Sequence, residues 1–308
     1  LILLSADRFQ HLLRIFTICE NALCRKEPAP VQKETFHVNA KEQYRLDVYI
    51  QEESPEITLS HLRPFVLVCP GGGYVGTSDR EADPIAFAYL AAGFHAGVLR
   101  YSVGPDASYP NPNTDLSVAL RIIRENARRW HADPNKVAVC GFSAGGHLAA
   151  MQGVHWNDPE LMRLSGCVNG ENRPDALILA YPVITSGKYA HTDSIANLLN
   201  RFREAGKPEE LERMLDFVSC EKHVGPHTPP VFLFHTRLDS GVSVCNSLLF
   251  AEALAENGID FEMHIFERGD HGLAMSNRTT ARTGAALVNE DAEAWMKLSC
   301  NWLWNHFE

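Results

Sequence analysis

A serine flanked by glycines, in Gly141-Phe142-Ser143-Ala144-Gly145, directly follows the apolar run Val137 to Cys140 and precedes a small-residue helical stretch, His147 to Met151. A strand, a sharp turn and a helix in that order expose a serine oxygen above a sheet edge, and the flanking glycines remove the clashes such a turn would create. The five-residue pattern alone is common; its context makes Ser143 the candidate nucleophile for acyl transfer, against the plainer reading of a tightly packed turn. A second glycine-rich stretch, Cys69-Pro70-Gly71-Gly72-Gly73-Tyr74, follows the apolar run Phe65 to Val68. A tetrahedral oxyanion needs preorganised N–H donors, and glycine lets backbone approach a substrate with no Cβ in the way. The amides of Gly72 and Gly73, with that of Ala144, are the expected donors of an oxyanion hole. A phosphate-binding loop would end in Gly-Lys-Ser/Thr, which is absent here; a purely structural turn is the remaining alternative.

A serine nucleophile in a strand-turn-helix setting is followed along the chain by an acid and then a histidine. With 14 histidines, position must choose among them. His271, in Gly269-Asp270-His271-Gly272, lies just beyond the apolar run Phe261 to Phe266, on a loop level with the serine. His264 lies inside that run, His235 at the end of another, and His147 on the helix behind the serine, where packing roles are commoner. For the acid, Asp239 sits on the loop after Val231 to Phe234, from which a carboxylate can hold the far nitrogen of the histidine and fix its tautomer. Asp270 competes, but its side chain diverges from that of its sequence neighbour; Asp239 is favoured, with Glu267 a further rival.

These residues must be carried by strands that end at one edge. From about residue 34 the chain alternates strand and helix signals, the pattern of a mostly parallel sheet with helices on both faces. Phe36 to Val38 and Tyr44 to Ile50 read as an opening hairpin. Phe65 to Cys69, His95 to Leu99, Val137 to Cys140, Ala176 to Ala180, Val231 to Phe234 and Phe261 to Phe266 read as buried strands. The clearest helix is Asp115 to Trp130, where Leu116, Ala119, Leu120, Ile123 and Ala127 share a face; a last helix is expected from about Ala285 to Trp304. Residues 182–228 break the rhythm with polar sequence, two short helical patterns (Ser194 to Phe202, Glu209 to Phe217) and several prolines, as a small cap over the strand C-termini would. Residues 1–33 read as an N-terminal helical extension, with Phe9, Leu12, Leu13 and Phe16 on one face as a packing or homo-oligomer contact.

Composition narrows the partners. The 308 residues, 45% hydrophobic and 21% charged, suffice for one sizeable core. A net charge of −10 with scattered Lys and Arg argues against nucleic acid, which needs a concentrated positive face. No apolar run is long enough for a membrane span. The eight cysteines form no CxxC or metal-ligand spacing and read as reduced thiols. Arg8, His11 and Arg14 interrupt any signal-peptide core, so the expected location is cytoplasmic.

The motifs together resemble the bacterial acetyl esterases of the α/β-hydrolase superfamily, the acetylxylan esterase-like and bifunctional acetylxylan/feruloyl esterase-like enzymes. The resemblance runs from about residue 34 through Pro-Gly-Gly-Gly-Tyr, Arg100-Tyr101-Ser102-Val103, Asp115, residues 141–147, Tyr181-Pro182-Val183-Ile184, Pro229 to Phe232, His235-Thr236, Asn246 to Ala251 and Gly269 to Gly272. It implies an α/β-hydrolase fold, a Ser143, Asp239, His271 triad, no cofactor or metal, and release of small acyl groups, often acetyl, from small-molecule or oligosaccharide esters. The chain departs from hormone-sensitive-lipase-like relatives in having Pro70 where they carry His. It also has Val242-Ser243-Val244 where relatives commonly have Val-Pro-Val. Another small acyl compound (a feruloyl ester, an arylformamide or a peptide amide) is the alternative substrate, and a non-catalytic ligand-binding relative the alternative of another class.

Overall fold

The computed structural model describes residues 31–52, 62–281 and 287–308, so the helix expected near the N-terminus lies outside the described residues. Eight strands form one sheet in the order β1-β2-β4-β3-β5-β6-β7-β8. They are β1 (Val31–His37), β2 (Arg45–Gln51), β3 (Arg63–Cys69), β4 (His95–Arg100), β5 (Ala132–Phe142), β6 (Ala176–Ala180), β7 (Val231–Thr236) and β8 (Phe261–Phe266). The first two run antiparallel to their neighbours, and every pairing from β4 to β8 is parallel. β1 begins within the segment expected as the extension, because its polar residues pair along β2 without needing a buried face. β5 and β7 also run further than their apolar cores, and the longer β7 takes in His235 and Thr236.

Side-chain alternation along the strands divides the core in two. Phe65, Leu67 and Cys69 face one cluster, while Val66 and Val68 face the other. The first is covered by α2 (Asn111–Trp130), α3 (Ala144–His155) and α8 (Cys245–Glu256), the second by α1 (Asp83–Ala91) and α9 (Glu290–Phe307). α2 starts earlier than expected because Pro112 is tolerated in a first turn, where its missing N–H has no helical acceptor to lose. It ends where His131 takes a left-handed conformation. Trp295 of α9, fully buried, stacks on Phe234 with 4.8 Å between ring centroids and donates its Nε1–H to the carbonyl of Ala274. That bond ties the core to the loop after β8.

α4 (Pro159–Ser165) follows α3. Between β6 and β7 lie the short helices α5 (Thr192–Leu198), α6 (Asn200–Glu204) and α7 (Pro208–Phe217). The first helical pattern expected there is divided at Leu199, whose backbone leaves the helical region. Among the described residues no helix is long and apolar enough to cross a membrane.

The order β4-β3-β5 sets the location of chemistry. The chain winds outward from β3 in one direction to β4 and then in the other from β5 onward, so the loops leaving β3 and β5 part and open a crevice at their C-terminal ends.

Candidate active site

The turn after β5 brings Ser143 into that crevice with φ 52° and ψ −117°, a conformation that side chains with a Cβ rarely adopt. Neighbours on both sides fix it: the Ser143 amide donates to the Ala180 carbonyl at 3.0 Å, and the Ser143 carbonyl accepts from Val183 at 3.1 Å and His147 at 3.0 Å. Glycine is required on either side by close approach. A Cβ on Gly141 would lie 2.3 Å from the Gly145 carbonyl oxygen, and one on Gly145 would lie 2.2 Å from that of Cys69.

Ser143 Oγ lies 2.8 Å from His271 Nε2, and His271 Nδ1 lies 2.8 Å from Asp239 Oδ2. An ionised carboxylate only accepts, so Nδ1 carries the hydrogen and Nε2 is left to accept the serine proton. The structure therefore brings Ser143, His271 and Asp239 into one line. Asp270 is turned away: its Oδ1 accepts from Ser240 Oγ at 2.6 Å and from the His271 amide at 2.8 Å. The Ser240 hydroxyl and then that amide hold its carboxyl below the ordinary value. Glu267 is exposed and faces Arg237 at 3.7 Å.

Asp239 is almost fully buried beside the histidine. Burial opposes its ionisation, but hydrogen bonds from His235 and His271, the charge interaction with His271 and the Val242 amide together hold its carboxyl well below the usual carboxylate range. Its Oδ1 accepts from the amides of Gly241 at 2.9 Å and Val242 at 2.7 Å. These bonds order the loop that carries Ser243.

His235, set aside from the sequence as a packing residue, is the unexpected neighbour. It is fully buried, with Nε2 3.3 Å from Asp239 Oδ2 and 3.0 Å from the Val242 carbonyl. Both partners are acceptors, so Nε2 carries the hydrogen, and Nδ1 accepts from Ser247 Oγ at 2.8 Å. The signal in the sequence was its position in the turn of chain leading to Asp239, but nothing there shows β7 extending through it.

The loop after β3 runs against Ser143, since a Cβ on Gly71 would fall 2.9 Å from Ser143 Cβ. Gly72 and Gly73 have φ of 139° and 62°, backbone that favours glycine. Among the described residues no hydrogen bond from the Gly72, Gly73 or Ala144 amides to another protein group is found. Ala144 opens α3, where no helical carbonyl can reach its N–H. The loop is anchored from below by Tyr101, whose hydroxyl donates to the Pro70 carbonyl at 2.6 Å. Tyr74 Oη pairs with His147 Nδ1 at 2.9 Å, and burial pulls His147 down to about 4, keeping it neutral. His147 is thus a brace for the loop. The segment between β6 and β7 reaches the same loop through Asn197 Nδ2, which donates to the Gly73 carbonyl at 2.9 Å.

A family model described as BD-FAE matches residues 46–254. Over 223 residues the chain is 41% identical to endo-1,4-beta-xylanase B of Butyrivibrio fibrisolvens, an overlap of 70% of this chain and 33% of that protein. Over 208 residues it is 31% identical to an acetylxylan esterase of Xylanibacter ruminicola, taking in 66% of this chain and 40% of that one. The chain therefore spans a third to two fifths of the length of these curated relatives. Among solved structures, an acetyl ester-xyloside bifunctional hydrolase from Caldicellulosiruptor lactoaceticus superposes with a TM-score of 0.73 at 32% identity, over 91% of this chain and 98% of its own.

The close approach around the serine gives a stability prediction. Gly145→Ala should lower the melting temperature by several degrees, because a Cβ there meets backbone that cannot swing aside and overpacking costs about 1–3 kcal/mol. Gly76→Ala, where a Cβ meets nothing within 4 Å, should leave it nearly unchanged. Thermal unfolding of the two variants side by side is the check; equal melting temperatures would contradict the steric argument.

Proposed function

The chain belongs to the BD-FAE family of α/β hydrolases, and from that membership we propose that it is a serine esterase removing small acyl groups, acetyl groups on xylan-type carbohydrate esters above all. The observation that carries the reading is the continuous line from Ser143 Oγ through His271 to Asp239, with each step at 2.8 Å. His271 Nε2 takes the serine proton as Oγ attacks the ester carbonyl. The amides of Gly72, Gly73 and Ala144 receive the oxyanion, each worth roughly 10²- to 10³-fold in turnover. Collapse of the tetrahedral adduct expels the alcohol, which takes its proton from His271, and leaves the acyl group on Ser143. Water, deprotonated by His271, then releases the acid and restores the serine.

Two kinds of observation support the substrate class. Relatives named as acetylxylan esterase, xylanase and acetyl ester-xyloside hydrolase match over most of this chain. The segment from Pro182 to Thr228 lies close over the oxyanion loop: besides the Asn197 bond, a Cβ on Gly73 would sit 3.8 Å from Ser194 Oγ. His191 caps that same helix by accepting from Ser194. We take this segment as a small polar cap that limits the acyl group.

Substitution of the acid separates the two aspartates. Asp239→Asn should cost turnover on the order of 10⁴-fold, since the amide leaves the imidazole in the wrong tautomer. Asp270→Asn should cost far less, because its carboxylate faces Ser240. Steady-state kcat on p-nitrophenyl acetate decides it, and equal losses would reassign the acid.

Chain length tests the cap. Among p-nitrophenyl acetate, butyrate and octanoate, kcat/KM should be highest for acetate and should fall as carbons are added, each misfitting methylene losing what a fitting one gains, about 1–3 kcal/mol. A preference for octanoate would overturn the small-acyl reading. Acetylated xylo-oligosaccharides should then outrun feruloyl esters and formylkynurenine.

A further inference from the structure

Beneath the crevice lies a carboxylate that the reaction just described does not use. Glu81 closes the 3-10 turn Asp79–Glu81, is 4% exposed, and has a different partner on each oxygen. Oε2 accepts the amide N–H of Gly71 at 2.9 Å, and Oε1 accepts the hydroxyl of Tyr181 at 2.8 Å. Gly71 precedes the Gly72 and Gly73 amides directly. A Cβ placed on Gly71 would fall 2.8 Å from Glu81 Oε2 and 2.9 Å from Ser143 Cβ, so the carboxylate shares a wall with the serine.

Tyr181 carries the connection to the other side of the crevice. Its Oη accepts the amide N–H of Ala274 at 2.8 Å, and its ring meets the His271 imidazole edge-on with 5.1 Å between centroids. Burial, and then the adjacent Glu81 charge, push the phenol well above its ordinary value, so it remains a donor. The neighbouring Arg80 grips the same loop from outside by donating to the carbonyls of Gly272, at 2.9 Å, and Thr280.

We propose, resting on the esterase reading above, that Glu81 is a positioning residue that couples the oxyanion loop to the histidine loop, holding Gly71 and Tyr181 at once. The side-chain chemistry explains why a carboxylate stands there. Both neighbours are donors, and a carboxylate has two oxygens that only accept. A glutamine is the same size but must turn its NH₂ toward one of them, which either sets two donors face to face at Gly71 or leaves the Tyr181 hydrogen without its acceptor. An aspartate keeps both oxygens but is one methylene short of spanning the gap. The bridge acts on the relative placement of the oxyanion donors and the base, a distance that matters in the transition state more than in the bound ester.

The test is kinetic, with folding monitored in parallel. Glu81→Gln should lower kcat on p-nitrophenyl acetate by about 10- to 100-fold with KM within about threefold of wild type, since a misplacement near 1 Å costs on that order. Tyr181→Phe removes the other arm and should lower kcat alone in the same way. The double variant should lose little more than the worse single one, because both break a single bridge. Wild-type kcat in Glu81→Gln, a loss confined to KM, or additive losses in the double variant would overturn the proposal. If Glu81→Gln does not fold, an unchanged kcat in Tyr181→Phe overturns it. Failure of the esterase reading is distinct: the wild-type protein itself would then show no turnover.

Discussion

Backbone pressed against backbone at residues 141–145 is the constraint on which the rest of the structure depends. Ser143 stands at the end of β5 in a left-handed conformation only because the chain on either side leaves no room for a wider turn: Gly141 meets Gly145, and Gly145 meets the end of β3. Such strain costs on the order of 1–3 kcal/mol and persists only where surrounding contacts over-determine it. Those contacts are the parallel register of β5 with β3 and β6, and the hydrogen bonds that Ser143 donates to Ala180 and accepts from Val183. The elbow is therefore a property of the sheet's centre, and the flanking strands position its partners relative to it.

The second organising element is a negative charge kept in a nearly dry place. Asp239 has its two oxygens shared among two imidazoles and two backbone amides. A carboxylate buried with that many donors stays ionised where burial alone would neutralise it. One imidazole faces the serine, and the other, His235, is buried beyond it and fixed by Ser247. Glu81 on the opposite side of the crevice also stands between two donors, the Gly71 amide and the Tyr181 hydroxyl. The two carboxylates frame the crevice, one behind the histidine and one beneath the loop that would hold the oxyanion.

The alternation of apolar strands and amphipathic helices was readable in the chain because the apolar runs of the central strands β3 to β7 are buried on both faces and the long helix α2 on one. Leu116, Ala119, Leu120, Ile123 and Ala127 all lie buried on α2, as their spacing implies. Ser143, Asp239 and His271 were readable because each sits in a loop directly after a recognisable strand, and the structure brings the three together. His235 and Glu81 were not. Glu81 sits in a polar stretch, Ser78 to Asp83, that looks like an ordinary solvated turn, and only the return of Tyr181 from β6 makes it a buried bridge. His235 looked like a packing residue because its role depends on the loop folding back until Val242 and Asp239 both face it. Local patterns set which residues are exposed at strand ends; the partners that long loops bring back are written nowhere near them. The division of that helical pattern at Leu199 belongs to the same class, being marked by no breaker residue.

The central claim is that the oxygen of Ser143 is the nucleophile, and its most direct test is covalent trapping. The protein is incubated with an organophosphate that carries a p-nitrophenolate leaving group, and residual esterase activity is followed as the peptides are mapped by mass spectrometry. The account predicts one phosphoryl group per chain, on the peptide bearing Ser143, with activity lost in proportion to its occupancy. Full activity with Ser143 modified, or loss of activity with the group on another residue, would contradict it.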